Sequence, residues 1–386
     1  MQKYILKSKN TNVLSFSVDK AQKNLDIATL EVLAPRLLPI SLQGAGKQNL
    51  KEHLIKWIKA RQIPKHRQFM PEILNTLGAD INDPLSYAKV GLALSLNDSF
   101  WIVPSGSNYL WQDFNLYDHP FNTAVSLTAL TGQSTETKLP TSGLKLSPEL
   151  TTNGMLKKCW HKDTTGEIIL IKGQIGTESY SEHYIAQVAK AMGLNALFYD
   201  LDKQHGEIVC TCKLFTSEQI GFVPILECID YPKYQRLQHD PKARLCMLAQ
   251  VLGQEFVEDL LLFDALVFNT DRHLGNFGML LDNDTNTFAK PAPIFDNGMA
   301  FLGQMSESEL DNIPAFFASV DSALDLKFDT QIKLVVRPRH IPLLERLKDF
   351  TFTHHSQYNL PEKWLRAGET MLRVRGQEII KTIKGV

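Results

Sequence analysis

Asp271 and Asn276 lie five positions apart in Asn269-Thr270-Asp271-Arg272-His273-Leu274-Gly275-Asn276-Phe277, and Asp296 follows in Ala292-Pro293-Ile294-Phe295-Asp296-Asn297-Gly298. Two carboxylates and an amide in this order suit phosphoryl transfer. One carboxylate orients an attacking hydroxyl, while an amide oxygen and a second carboxylate hold Mg²⁺ on the phosphates of ATP. The transition state is loose, so positioning and charge neutralisation dominate over covalent work. Asp271 would accept a hydrogen bond from the acceptor hydroxyl. Asn276, one loop away, can reach a metal beside it. Asp296 arrives from a separate segment after an apolar run and is the charged metal ligand, and Asn297-Gly298 permits a sharp turn there. Taken singly, the pieces also read as an Asp-capped helix end and an Asp-Asn-Gly turn. Together they imply an ATP-dependent kinase.

Such a site needs a lysine and a clamp on the phosphates. Lys172 closes the apolar run Ile168-Ile169-Leu170-Ile171, where a phosphate-binding lysine on a central strand should sit. A lysine snorkelling from a strand end is the plainer alternative. Glu182, in the first turn of the next helix, is a candidate partner for Lys172, with Glu178 competing and a simple helix-dipole role also open. The stretch Leu150–Trp160 reads either as an ordinary hairpin or as a turn over the phosphates. In the second case Gly154 allows close approach, and Lys158 or Lys157 adds charge. It is neither the multi-glycine loop of protein kinases nor a Gly-x₄-Gly-Lys-Ser/Thr loop. Lys213 to Phe215, after Cys212, ends the last long strand of this region, and its backbone is a candidate adenine hinge.

The elements that must position these residues fall into three regions. Residues 1–140 start with strand-like runs at Tyr4–Leu6 and Val13–Val18, followed by helical stretches at Asn49–Arg61 and Phe69–Leu77. The aromatics Trp101, Tyr109, Trp111, Phe114, Tyr117 and Phe121 crowd together and read as a buried seam against the next region. Thr131 to Thr141, rich in Gly, Ser and Thr, reads as a linker or exposed loop. Residues 142–230 form a small mixed lobe for the nucleotide, with a helix at about Tyr180–Met192 stopped by Gly193. Residues 231–386 are mostly helical. There the long apolar run Ala243–Phe268 leads into the Asp271 loop, and later helices are expected at Ser306–Ala318, Leu326–Val336, Ile341–Phe352 and Pro361–Lys384.

Bulk properties narrow the function. The 386 residues suffice for several cores. A net charge of −1 gives no basic field for nucleic acid. There is no run of apolar residues long enough to span a membrane, and the start lacks the long apolar run of a signal peptide. Five cysteines, an odd and sparse set, fit reduced thiols and a cytoplasmic setting. Cys210 and Cys212 read as packed thiols, since no ligand-spaced partners accompany them.

At this point the chain resembles the HipA-like serine/threonine kinases, a bacterial family of toxin–antitoxin modules and their relatives. The residues that carry the resemblance are the Asn269–Phe277 motif, Pro293-Ile294-Phe295-Asp296, Ser181-Glu182-His183-Tyr184 and Ala189-Lys190-Ala191-Met192-Gly193-Leu194, within roughly 145–386. Asp-Arg-His-x-x-Asn also looks like the catalytic loop of phosphoinositide-kinase-type folds. The resemblance implies an α+β, bilobal kinase-like fold with a small mixed β lobe, a mostly helical carboxy-terminal lobe and an extra amino-terminal α/β region. It implies Asp271 as base, Asn276 and Asp296 on Mg²⁺, Lys172 on the ATP phosphates and Lys213 to Phe215 as hinge. It further implies autophosphorylation in the loop, where Ser147, Thr151 and Thr152 are the available hydroxyls, and a helix-turn-helix antitoxin as partner. The loop Ser147–Lys158, Thr216 (where an acidic residue is common) and residues 1–140 depart from the family pattern. A small-molecule or lipid kinase, and an inactive kinase-like interaction module, are the alternatives. Retention of Asp271, Asn276, Asp296 and Lys172 argues against the last.

Overall fold

A computed structural model describes residues 1–18, 25–44, 49–80, 82–83, 85–133 and 144–385. Most of the expected linker Thr131–Thr141 lies outside the described residues. The chain divides into two compact units that it visits alternately. The first comprises Met1–Lys172, Lys213–Val223 and Leu280–Ala289, and the second Gly173–Cys212, Pro224–Met279 and Lys290–Val386.

The first unit begins with β1 (Gln2–Ser8), β2 (Thr11–Val18) and β3 (Ile27–Val32), joined by β4 (Phe100–Pro104) in the antiparallel order β3-β2-β1-β4. Helices at Leu50–Ala60 and Met70–Leu77 match the expected stretches. Leu54, Trp57 and Ile58 join Leu6, Leu14 and Phe16 in one core. The aromatic seam is real. Trp101 and Trp111 are buried with Leu92, Leu94 and Ile168, and Tyr109, Phe114, Tyr117, Phe121, Trp160 and Leu214 pack around them. The hairpin β5 (Lys158–Lys162) and β6 (Ile168–Lys172) pairs Lys158 directly with Lys172.

The second unit is built on helices around one large core. The Glu178–Met192 helix buries Ile185, Val188, Ala189 and Met192, each large aliphatic contributing roughly 1.5–3 kcal/mol. Gly193, at φ 81°, ends it by turning left-handed, as expected. Next come β7 (Asp200–Gln204) and β8 (Glu207–Lys213), an antiparallel hairpin of which Lys213 is counted in the first unit. The apolar run 243–268 is two helices rather than one, Pro241–Leu252 and Gln254–Val267, because Gly253 sits at φ 84° and breaks the ladder. The expected helix at 306–318 is a 3₁₀ turn, capped reciprocally by Ser306 and Glu309, followed by a short helix Ile313–Phe317. The helix from Ile341 ends at Glu345, and Pro361 caps the Glu362–Lys384 helix from outside. Among the described residues no helix is long and apolar enough to cross a membrane. The cysteines are free thiols. Cys159, Cys210 and Cys212 are buried, and burial pushes the Cys159 thiol up to about 12, so it is inert at neutral pH.

Candidate active site

The second unit holds Asp271, Asn276, Asp296 and Glu182. The Gln254–Val267 helix is apolar on nearly every side and ends where Phe268 turns left-handed, its N–H bonding the Asp264 carbonyl. That stop delivers the chain into the 269–277 loop. Asn269, fully buried, donates to Asp264 Oδ1 (3.2 Å) and accepts the Asp271 N–H (3.1 Å). Asp271 itself is exposed. Asn276 is buried, and its amide nitrogen donates to the Asp271 carbonyl (3.0 Å). That bond orients the amide and reserves Oδ1 as the acceptor, which is the atom a hard cation needs.

Asp296 is half-buried and left-handed at φ 58°, a conformation that costs a non-glycine residue of order 1 kcal/mol or more and is held only by its surroundings. Its N–H donates to the Tyr199 hydroxyl (3.2 Å). The next amide, Asn297 N–H, donates to Glu182 Oε2 (2.7 Å), and Ser181 Oγ donates to the Asn297 carbonyl (2.9 Å). The start of the Glu178–Met192 helix thus grips the turn behind Asp296 from both sides of one residue. Glu182 therefore serves this turn, a role that its sequence position did not suggest. Burial first, then Glu182 and Asp296, hold the Tyr199 hydroxyl protonated far above its usual range.

Arg272 ties the two segments together. Its guanidinium, 2% exposed, meets the 1% exposed Asp264 through Nε–Oδ2 and Nη2–Oδ1 contacts of 3.0 Å each. Nη1 donates to the carbonyls of both Asn276 (3.2 Å) and Phe295, and Nη2 to Asn297 Oδ1 (2.6 Å). One nitrogen atom thus bridges the residue carrying one candidate metal ligand and the residue preceding the other. Burial opposes the charge on Arg272, but Asp264 outweighs it and keeps the guanidinium ionised. Arg272 stood inside the motif without an assigned role. The signal was Asp264, an acid inside an apolar helical run, which demands a buried cationic partner.

The first unit holds the loop and the lysines. Lys158 and Lys172, both buried, face each other across β5 and β6. Lys158 Nζ donates back to the Asn153 carbonyl (3.0 Å) and lies over Gly154. Gly154 is at φ 98°, a left-handed conformation that favours glycine, and a Cβ there would stand 2.2 Å from that ammonium, which would have to shift aside. The three candidate hydroxyls are engaged. Ser147 donates to the buried Glu149 carboxylate, Thr151 to the Leu94 carbonyl (2.9 Å) and Thr152 to the Pro148 carbonyl (2.6 Å). Ser147 and Thr151 are buried, and Thr152 is half-buried. In the hinge segment, Lys213 is exposed and paired with Glu167 (2.7 Å), and the Leu214 N–H is taken by the Ile168 carbonyl (2.8 Å). Leu214 therefore offers no donor to a base. Phe215 packs edge-on against Phe222.

No protein-family model matches the chain. Over 141 residues it is 28% identical to the serine/threonine-protein kinase CtkA of Helicobacter pylori, an alignment covering 33% of this chain and 42% of that protein. The match thus spans less than half of the relative's length. The chain is also similar to HipA as solved with HipB and operator DNA from Shewanella oneidensis MR-1, with a TM-score of 0.56 at 12% identity over 99% of each chain. The crystal structure of the H. pylori proinflammatory kinase CtkA gives a TM-score of 0.47 at 19% identity, covering 61% of this chain and 92% of that one. The fold is the α+β fold of HipA, and the resemblance to HipA-like kinases is borne out.

Proposed function

We propose that this chain is an ATP- and Mg²⁺-dependent serine/threonine protein kinase of HipA type that phosphorylates itself and acts in a cytoplasmic setting. The observation that carries the reading is the Arg272 bridge, which sets the Asp271–Asn276 loop beside the Phe295–Asn297 turn. The similarity to a serine/threonine-protein kinase of H. pylori supports it. When bound, Mg²⁺ neutralises phosphate charge and ATP supplies the phosphoryl group. Asn276 Oδ1 and the Asp296 carboxylate are the ligands assigned to the metal. The Asp271 carboxylate, exposed on its loop, accepts the proton of the acceptor hydroxyl. Lys172 and Lys158 take the phosphates, Gly154 lets the loop approach them, and the backbone of Lys213 and Phe215 takes the adenine. Glu182 holds the Asp296 turn by its amide. Of the three loop hydroxyls, Thr152 is the least buried and is assigned as the acceptor. A phosphate there would break its bonds to Pro148 and Trp160 and drive the segment outward. The HipA neighbour was solved with an antitoxin and DNA, which supports a DNA-binding antitoxin as partner.

Purified protein given Mg²⁺ and radiolabelled ATP should become labelled on Ser or Thr. Asp271→Asn should abolish the label with the fold intact. Undiminished labelling of that variant would remove Asp271 from its role.

A further inference from the structure

Residues 1–140 had no assigned part in the chemistry, yet two of them reach the candidate phosphate loop. Arg67 and Gln68 lie in the connection between the Leu50–Ala60 and Met70–Leu77 helices. Arg67 is 3% exposed. Its Nη1 donates to the Thr152 carbonyl (3.1 Å) and its Nη2 to the Lys158 carbonyl (2.5 Å). Gln68 N–H donates to the Met155 carbonyl (2.9 Å), and Gln68 Oε1 accepts the Lys157 N–H (3.2 Å). Two consecutive residues therefore hold four backbone groups, spread over 152–158 and surrounding Gly154.

We infer that Arg67 and Gln68 are positioning residues that clasp the phosphate loop, so that the amino-terminal region sets the affinity of the site for a nucleotide's phosphates. This rests on the kinase reading. The chemistry is specific. The loop tip Asn153–Met155 is exposed and has no regular secondary structure of its own, so its shape depends on what binds its backbone. Arg67 fixes the Lys158 carbonyl while the Lys158 ammonium folds back over Gly154, and Lys172 stands opposite Lys158 in register. Where the clasp holds the loop therefore sets where the Lys158 ammonium lies, next to its register partner Lys172. The nearby buried carboxylate, Glu149, accepts from Ser147 and from the Trp160 N–H (2.9 Å). A polyanion is the ligand such a pair of lysines would take. The clasp is itself fixed. Phe69, next in the chain, is left-handed at φ 60°, and its ring fills the space beside Gly132, where a Cβ would stand 2.6 Å away. Burial draws the Arg67 guanidinium down to about 10, opposed by Glu149, so it remains charged at neutral pH.

The test is calorimetric binding of Mg²⁺–ATP and of adenosine to the full chain and to Gln68→Met, which keeps the side-chain volume and the Arg67 bonds but loses one acceptor. Adenosine lacks phosphates and serves as the internal control. Gln68→Met should weaken ATP about fivefold, the change expected from one hydrogen bond, and leave adenosine unchanged. Arg67→Met should weaken ATP more than tenfold, with Arg67→Lys between, because an ammonium cannot span both carbonyls. Equal weakening of ATP and adenosine, or no change in their ratio, would overturn the clasp while leaving the kinase reading standing. A wild-type chain that binds ATP no better than adenosine would instead overturn the kinase reading itself.

Discussion

Replacing Arg272 by methionine tests the bridge at the centre of the site. The change strands Asp264, 1% exposed, without its cation, and removes the donor from the Asn276 and Phe295 carbonyls and from Asn297 Oδ1. Breaking a buried ion pair by deleting one partner costs about 3–5 kcal/mol. The neutral acceptors add to this only where water fails to replace the guanidinium. A loss of that size is a large fraction of the roughly 5–15 kcal/mol that holds a domain folded. Pairing it with Asp264→Leu removes the stranded charge and should recover much of the stability. It should not recover phosphoryl transfer, because nothing then ties the Asn276 loop to the Phe295–Asn297 turn. Four of the five tryptophans belong to the first unit, so fluorescence would report the wrong part of the chain. Hydrogen exchange in the Gln254–Val267 helix reads the right one, alongside the radiolabelling assay. A single variant within about 1 kcal/mol of wild type would refute the reasoning, as would a double variant that regains activity together with stability.

Gly303→Ala should cost about 1–3 kcal/mol and weaken Mg²⁺-dependent ATP binding, because its Cβ would sit 1.8 Å from the Gly298 carbonyl and push on the Asp296 turn. A thermal melt that does not move would show that the turn yields freely. His183 is held below its usual 6.5 by burial and by His355, against the Tyr199 carbonyl and Asp200. Below that value the unfolded chain takes up a proton that the folded chain resists, so stability falls as pH drops through about 6.5. Exchange protection in the Glu178–Met192 helix should therefore be lower at about pH 5.5 than at about pH 7.5. His183→Gln should flatten that difference, and a variant with the wild-type slope would remove His183 as its source.

Much of the architecture could be read from pattern. The Glu178–Met192 helix announced itself by Ile185, Val188, Ala189 and Met192, and its end by Gly193, since periodicity and a left-handed stop are local signals. The break at Gly253 was missed because both flanking helices are apolar and one glycine is tolerated inside many helical patterns. The motif residues Asp271, Asn276 and Asp296 were visible from type and spacing, and the structure brings their segments together through Arg272. The grip of Glu182 on the Asn297 amide and of Arg67 on two carbonyls was not legible. In both cases a side chain serves distant backbone, and backbone groups carry no residue-type signature. Tyr199 was hidden for the same reason, as its hydroxyl receives a main-chain N–H.

The most direct measurement of the central claim is a Mg²⁺ titration of ATP binding by Asp296→Asn, Asn276→Ala and Asp271→Asn. The first two should lose the Mg²⁺-dependent share of the affinity, and the third should keep it while losing phosphoryl transfer. Equal effects on binding in all three, or none in any, would contradict the assignment of Asn276 and Asp296 to the metal and Asp271 to the hydroxyl.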